Sequence, residues 1–354
     1  MKIAIANNLY FPFNRGGAET VIKKMISDFK SQNHEVFLIT TKPKNEKDPI
    51  NLDLKIYYLQ SDYSRLAEFS PLRKILWHFT NIFSFRNTDL IKKIFEEEKP
   101  DLVLTHNLMG LGFMLPLVIK DLKIKHHHYL HDIQLLYPSG LMMFGEEKVI
   151  DGISSKIYQL FTRLLFSSPN KIISPSAWLL KQHLSRAYFK KSETEIKNLV
   201  EINKNNNEIL KNNRDKYKFL FVGQIEKHKG IILLIESFKE ALKIKPDLKL
   251  SVVGDGKILN EVKKLSEGYI QIEFLGRLDS LEVKNTMTAC ACLIIPSLCY
   301  ENAPTTIFEA HDCGLKVLAA NIGGIPEIIN SNDLLFNPGD IEDLKNKILS
   351  ISQI

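Results

Sequence analysis

The feature that most constrains the fold is an alternation. Short apolar runs rich in Ile, Val and Phe end in Gly, Asn or Ser, and an amphipathic stretch follows most of them. The spacing predicts strands at Lys2–Ala6, Glu35–Thr40, Lys55–Leu59, Leu102–Thr105, His127–Leu130 and Lys171–Ile173. A second series follows at Lys218–Val222, Lys249–Val253, Ile270–Leu275, Cys292–Ile295 and Lys316–Ala319. Continuous apolar runs mark strands buried on both faces, and the helices between them supply the cover. The pattern therefore predicts an α/β chain with parallel sheets.

The two series flank EINKNNNEILKNNRDKYK, which is rich in Asn and Lys and poor in apolar residues, as a linker is. The expected organisation is two Rossmann-like domains, 1–205 and 206–354, facing each other across a cleft. A chain of 354 residues is long enough for two cores. A hydrophobic share of 44% with 25% charged residues is that of a soluble globular protein. No apolar run approaches the roughly eighteen residues of a membrane span. Met1-Lys2-Ile3-Ala4-Ile5-Ala6 is too soon interrupted for a signal peptide and reads as a first strand. Cys290, Cys292, Cys299 and Cys313 sit in apolar surroundings at a spacing that matches no zinc site, so buried thiols in a reducing cytosol are expected. The net charge of +6 is uneven: residues 1–200 hold 28 Lys+Arg against 20 Asp+Glu, and the remainder 19 against 21. A basic first half suits an anionic partner, a membrane surface or a phosphorylated substrate; a solvated lysine-rich surface is the plainer reading.

In open α/β sheets ligands bind beyond the carboxyl ends of the strands, so the loops there are the candidates. The first strand runs into NNLYFPFNRGGAET, where Gly16-Gly17 precede a helix that begins near Glu19. Paired glycines admit a ligand close to the backbone, but this is not the GxGxxG dinucleotide fingerprint. The fifth strand ends in HHHYLHD. Alternation puts His127, Tyr129 and His131 on one side and His126 and His128 on the other, so the histidines diverge and a metal site is not expected. His131-Asp132 fall at the strand's end, where a polar pair meets substrate. In FVGQIEKHKG, Gly223 permits close approach, and Lys229-Gly230 precede an apolar helix; a lysine there pairs with phosphate or is simply solvated. VVGDG and FLGRLD, with Gly276 and Arg277, repeat the glycine turn. Last comes ENAPTTIFEA. Pro304 fits a first helical turn, Thr305 and Thr306 leave backbone N–H groups free, and the helix start suits a phosphate. Glu301 and Glu309 flank that start, Glu309 about a turn and a half in; the plainer reading is a carboxylate on the helix dipole.

In this order and spacing, GGAET, HDIQLLYP, ISPSAWLL, FVGQIEKHKG, VVGDG, FLGRLD, PSLCYENAPTTIFEAHDCGLKVLAANIGGIPEII and LLFNPGD resemble the retaining glycosyltransferases of family 4, which have the GT-B fold. The Glu-x7-Glu element at Glu301 and Glu309 is the most specific part. The resemblance implies a nucleotide-sugar donor, UDP- or GDP-linked, held mainly by the second domain. It implies Glu309 at the ribose hydroxyls, Glu301 at the hydroxyls of the transferred sugar, and backbone from Ala303 through Pro304 and Thr305 to Thr306 at the diphosphate. The same resemblance implies that Lys229 pairs with that diphosphate, that Gly223 and Gln224 lie beside it, that His131 reaches the sugar from the first domain, and that Gly16-Gly17 edge the same site. No Asp-x-Asp motif is present, so no metal and no cofactor beyond the donor are expected.

The chain departs from the family pattern in places. Gln224 stands where the family usually has arginine; an amide can hydrogen-bond but brings no charge to the diphosphate. Lys316 replaces a common proline, and family members usually continue past position 354 into a helix that crosses back to the first domain. Two readings of different class stay open: an active transferase acting on a saccharide or lipid-linked acceptor in surface polysaccharide or glycolipid synthesis, and a degenerate nucleotide-sugar-binding protein or non-catalytic partner of the same fold. The reading as a sugar-nucleotide epimerase ranks last. A cytoplasmic location is expected, with a peripheral place on the inner face of the membrane as an option. That option rests on RLAEFSPLRKILWHFTNIFSFR, which mixes Arg65, Arg73, Lys74 and Arg86 with Trp77, Phe79, Phe83 and Phe85. Aromatic stripes at helical spacing usually pack inward, so a core-packing helix with a basic rim is the favoured expectation.

Overall fold

A computed structural model describes residues 1–13, 16–49, 51, 53–167, 169–198 and 214–353. The chain divides into two compact units: Met1–Leu141 with Lys148–Leu199, and Met142–Glu147 with Val200–Ile354. The expected boundary at 205/206, and most of the linker with it, lies outside the described residues.

Unit 1 is a seven-stranded sheet of β1 (Lys2–Ala6), β2 (Glu35–Lys42), β3 (Lys55–Gln60), β4 (Leu102–Thr105), β5 (Lys125–Tyr129), β6 (Lys171–Ser174) and β7 (Glu193–Ile196), in the order β3-β2-β1-β4-β5-β6-β7. Every pairing is parallel. Ile3, Ala4, Ile5 and Ala6 of β1 are fully buried, as a central strand covered on both faces must be. The helices are α1 (Gly17–Ser31), α2 (Pro71–Ile82), α3 (Phe85–Glu98), α4 (Leu115–Asp121), α5 (Ile153–Leu165) and α6 (Ala177–Leu184).

Unit 2 repeats the plan with β8 (Asp215–Val222), β9 (Lys249–Val253), β10 (Ile272–Gly276), β11 (Cys290–Ile295), β12 (Lys316–Ala320) and β13 (Leu334–Phe336), in the order β10-β9-β8-β11-β12-β13 and again all parallel. Its helices are α7 (Ile231–Ile244), α8 (Leu259–Leu265), α9 (Ser280–Ala289), α10 (Thr305–Asp312) and α11 (Ile341–Ile351). One continuous core runs from Phe219 and Phe238 to Leu344 and Ile348. All four cysteines are buried thiols, and burial pushes Cys290 and Cys299 up to about 12. Both units are doubly wound, so strand order reverses between β1 and β4 in one and between β8 and β11 in the other. At such switch points the loops on neighbouring strands part and leave a crevice.

Two findings differ from the sequence reading. The segment Met142–Glu147 belongs to unit 2, where the Tyr300 N–H donates to the Met142 carbonyl (2.9 Å), Phe144 N–H to the Leu298 carbonyl (2.9 Å) and Tyr300 O–H to Glu147 Oε1 (2.8 Å). The aromatic segment packs inward only in part: of α2 only Asn81 and Ile82 are buried, Trp77 and Phe83 are half-buried, and Phe79 and Phe85 are exposed.

Candidate functional site

The switch point of unit 2 is built by the loops after β8 and β11. The first is tied to its neighbours by backbone: Gly223 N–H donates to Val253 (3.1 Å), Ile225 to Asp255 (2.9 Å), and Leu298 of the second loop to His228 (2.9 Å). Gly230 takes φ +71°, and a Cβ there would run into the Pro296 carbonyl, so only glycine lets the two loops close. That closure sets Lys229, the last residue of a short 3-10 turn, beside Glu301.

Glu301 is held from its other side. Gly324 N–H donates to the Glu301 carbonyl (2.8 Å), and Gly323, at φ +64°, lies so close to that carbonyl that a Cβ would collide with it. Lys229 Nζ stands 2.6 Å from Glu301 Oε1, and Ser297 Oγ donates to the same oxygen at 2.9 Å. The side chains are 27% and 16% exposed. Burial works to raise the Glu301 carboxyl, but the Lys229 charge and the Lys229 and Ser297 hydrogen bonds hold it below its ordinary value. Burial likewise works against the Lys229 ammonium, and Glu301 more than offsets it. Both groups are ionised at neutral pH.

From Glu301 the chain runs through Ala303 into α10. Pro304, at φ −56° and ψ 121°, is the residue before the first turn and not part of it as expected; its carbonyl accepts from Ile307 (3.1 Å). The first turn of any helix leaves N–H groups without intrahelical partners, here those of Thr305 and Thr306, at the positive end of the dipole. Glu309 is exposed on α10, and partial desolvation followed by the neighbouring Asp312 lifts its carboxyl above the ordinary value. Lys229, Glu301, the start of α10 and the Gly223-Gln224 turn thus gather at the ends of two adjacent strands. Arg277 does not: it follows β10, two strands from β8. Lys227 faces Glu261 at 3.9 Å.

Unit 1 places His131 and Asp132 just beyond β5. His131 Nε2 lies 2.7 Å from His106 Nδ1, and His106, beyond β4, stacks on Tyr129 at 4.8 Å. Burial pushes His131 down to about 4 and His106 well below its ordinary value, so the pair is neutral. Burial lifts Asp132 to about 7 against the pull of the Gln134 N–H. His106, His131 and Asp132, with Asn107, Phe113, His128 and Phe166, border a shallow cleft. Sequence reasoning does not single out His106; its one signal is that it is the first residue past a strand at the switch point. His126 and His128 leave β5 on the other face, as alternation predicts, both bonded to Thr105 Oγ1 (2.7 and 2.8 Å), and His128 still reaches the edge of the same cleft. Gly16 and Gly17 open α1, with Gly16 N–H donating to Glu19 Oε2 (3.1 Å). Among the described residues no three His, Cys, Asp or Glu side chains gather as metal ligands, and no helix is long and apolar enough to cross a membrane.

Two doubly wound units, each a parallel sheet covered by helices on both faces, define a class of two-unit α/β proteins whose candidate sites lie at the strand ends. Residues 15–196 match the family model Glycosyltransferase Family 4, and residues 202–353 match Glycosyl transferases group 1. The chain belongs to glycosyltransferase family 4, with the GT-B fold. It is 26% identical over 377 residues to an uncharacterized 42.6 kDa protein in the cps region of Klebsiella pneumoniae, covering 100% of this chain and 97% of that one. It is 24% identical to one chain of the human phosphatidylinositol N-acetylglucosaminyltransferase, covering 97% of this chain and 66% of that one. Anabaena HepE, solved in complex with UDP-glucose, superposes with a TM-score of 0.70 at 16% identity, covering 99% and 89%.

Proposed function

We propose that the protein transfers a sugar, with retention and without a metal ion, from a nucleotide-diphosphate-sugar to a saccharide or lipid-linked acceptor in surface polysaccharide or glycolipid synthesis. Peripheral contact with an anionic membrane is a separate proposal, which the transfer itself does not require. The observation that carries it is the Lys229–Glu301 pair beside the start of α10. Negative charge develops on the leaving diphosphate, and a fixed cation with free N–H groups stabilises it most where it develops. Ser297, Gly323 and Gly324 keep Glu301 from turning away, so its second oxygen is the one to receive the sugar hydroxyls. Glu309, exposed on the next turn, suits the ribose. In unit 1, neutral His131 is a hydrogen-bonding group for the sugar, oriented by His106. Two relatives support the choice of acceptor class: one lies in a cps region, and the other carries phosphatidylinositol in its name.

A second reading, a nucleotide-sugar binder without turnover, draws on Gln224, which adds no charge, and on the pairing of Lys229 with Glu301, which leaves little net positive charge. Release of UDP or GDP from the matching sugar nucleotide, measured with and without added glycolipid and oligosaccharide acceptors, separates the two. Release supports the transferase; tight binding without release under any acceptor selects the binder; absence of both removes the site assignment.

A further inference from the structure

The helix α5 is inside out. Four of its polar residues face the protein: Ser155 Oγ donates to Val149 O (2.7 Å), Tyr158 O–H to Gln134 O (2.7 Å), Gln159 Nε2 to Leu136 O and Ile150 O (3.0 and 2.8 Å), and Thr162 Oγ1 to Leu135 O (2.7 Å). Its apolar residues face water. Ile153, Ile157, Leu160, Phe161 and Leu164 follow one another at helical spacing along one stripe, and all are exposed, Ile153 by 82% and Leu164 by 63%. The bonds to backbone carbonyls fix that orientation, because rotating the helix to bury the stripe would strand polar groups on both sides.

The helix α2 does the same. Leu72, Ile75, Leu76 and Phe79 form an exposed stripe, Leu72 by 78% and Ile75 by 68%. The two stripes are joined by rings: Phe79 meets Phe83 at 5.3 Å, and Phe83 meets Phe161 edge-on at 5.6 Å. A continuous apolar surface of this extent marks an interaction site.

Charge decides what covers it. Neither helix contains an Asp or Glu, while α2 carries Arg73 and Lys74 and α5 carries the exposed Lys156; Arg163 of α5 turns back to the Arg186 carbonyl (3.2 Å). A second copy of the chain meeting this face about a two-fold axis would bring like charges together. A lipid surface accepts the apolar side chains below its headgroups and pairs the cations with anionic phosphates, and long Lys and Arg stems reach up to them.

We propose that unit 1 docks on an anionic bilayer through the α2–α5 face, with both helices lying in the headgroup plane. This goes beyond the basic segment around α2 that the sequence marks, because half of the apolar surface is α5.

The test is co-sedimentation of the full chain with vesicles of phosphatidylcholine, with and without phosphatidylglycerol, and without donor or acceptor, so that its failure leaves the transferase reading untouched. Wild type is expected to sediment with the phosphatidylglycerol vesicles and weakly with phosphatidylcholine alone. Ile157→Glu with Leu164→Glu lowers the bound fraction at equal lipid by at least about tenfold, with unchanged melting because both residues are exposed. Arg73→Glu with Lys74→Glu removes the preference for anionic lipid. If the α5 variant fails to fold, Leu72→Gln with Ile75→Gln on α2 carries the same expectation. No binding of wild type to anionic vesicles at low salt overturns the proposal, as does wild-type binding by a folded variant. So does a solution dimer that these substitutions split into monomers.

Discussion

Replacing Lys229 by Met isolates what holds Glu301 ionised. In the wild type the two atoms are 2.6 Å apart, with exposures of 27% and 16%. Breaking a buried pair costs about 3–5 kcal/mol and an exposed one about 0–1, so this half-buried pair is expected to cost about 2–3 kcal/mol. The pH dependence gives the sharper check. The wild-type Glu301 carboxyl lies below its ordinary value, so its contribution is present above that value and is lost as pH falls through the lowered one. Without Lys229, burial is the largest influence left and raises the carboxyl. The variant then carries a charge penalty at neutral pH that is relieved as pH falls through the raised value. The stability gap between wild type and Lys229→Met is therefore widest near pH 7 and narrows toward pH 4. Adding Glu301→Gln to Lys229→Met should recover part of the loss. Urea unfolding followed by circular dichroism is the assay, because both tryptophans, Trp77 and Trp178, lie in unit 1 and do not report on unit 2. A gap that is constant with pH, or a double variant whose loss is the sum of the single ones, would refute the argument.

Other expectations follow from the same geometry. Lys229→Met should also weaken nucleoside diphosphate binding by roughly 10–100-fold, the worth of one charge-assisted hydrogen bond, in calorimetric titration. Glu309→Ala, at an exposed position, should lower donor affinity with no change in melting temperature; a drop in melting with affinity intact would make Glu309 structural. Gly230→Ala should destabilise unit 2 by more than about 2 kcal/mol, since φ +71° and the Pro296 carbonyl both oppose a Cβ. Asp132 is lifted to about 7 by burial, so the folded protein loses stability as pH rises from the ordinary carboxylate range through about 7. Asp132→Asn should flatten that loss, which melting curves from pH 5 to 8 will show.

The architecture was legible because both sheets are parallel and covered on two faces, which writes each strand as an apolar run. Every expected strand is present, and β1, β4 and β9 match to the residue. The two strands missed, β7 and β13, are at sheet edges. Glu193–Ile196 is largely exposed and shows no apolar run, and Leu334–Phe336 is three residues long. Periodicity found the apolar stripe near α2 but not the side it faces, because a helix with its apolar face in water has the same spacing as one with it in the core. For α5 the deciding information is five hydrogen bonds from side chains to distant carbonyls. The Lys229–Glu301 pair spans 72 positions and the strap from Met142 to Glu147 reaches Leu298 and Tyr300, so neither has a local signature. What the motifs do mark is the glycines that let those loops close.

The central claim is that the switch point of unit 2 holds the diphosphate of a sugar nucleotide. Calorimetric titration of the full chain with UDP, GDP, ADP and their sugars tests it most directly, run on the wild type and on Lys229→Met and Glu309→Ala. One nucleotide family is expected to bind the wild type, and each substitution to weaken it at least about tenfold. Binding that both variants retain at wild-type strength, or no binding of any of these nucleotides at millimolar concentration, would contradict it.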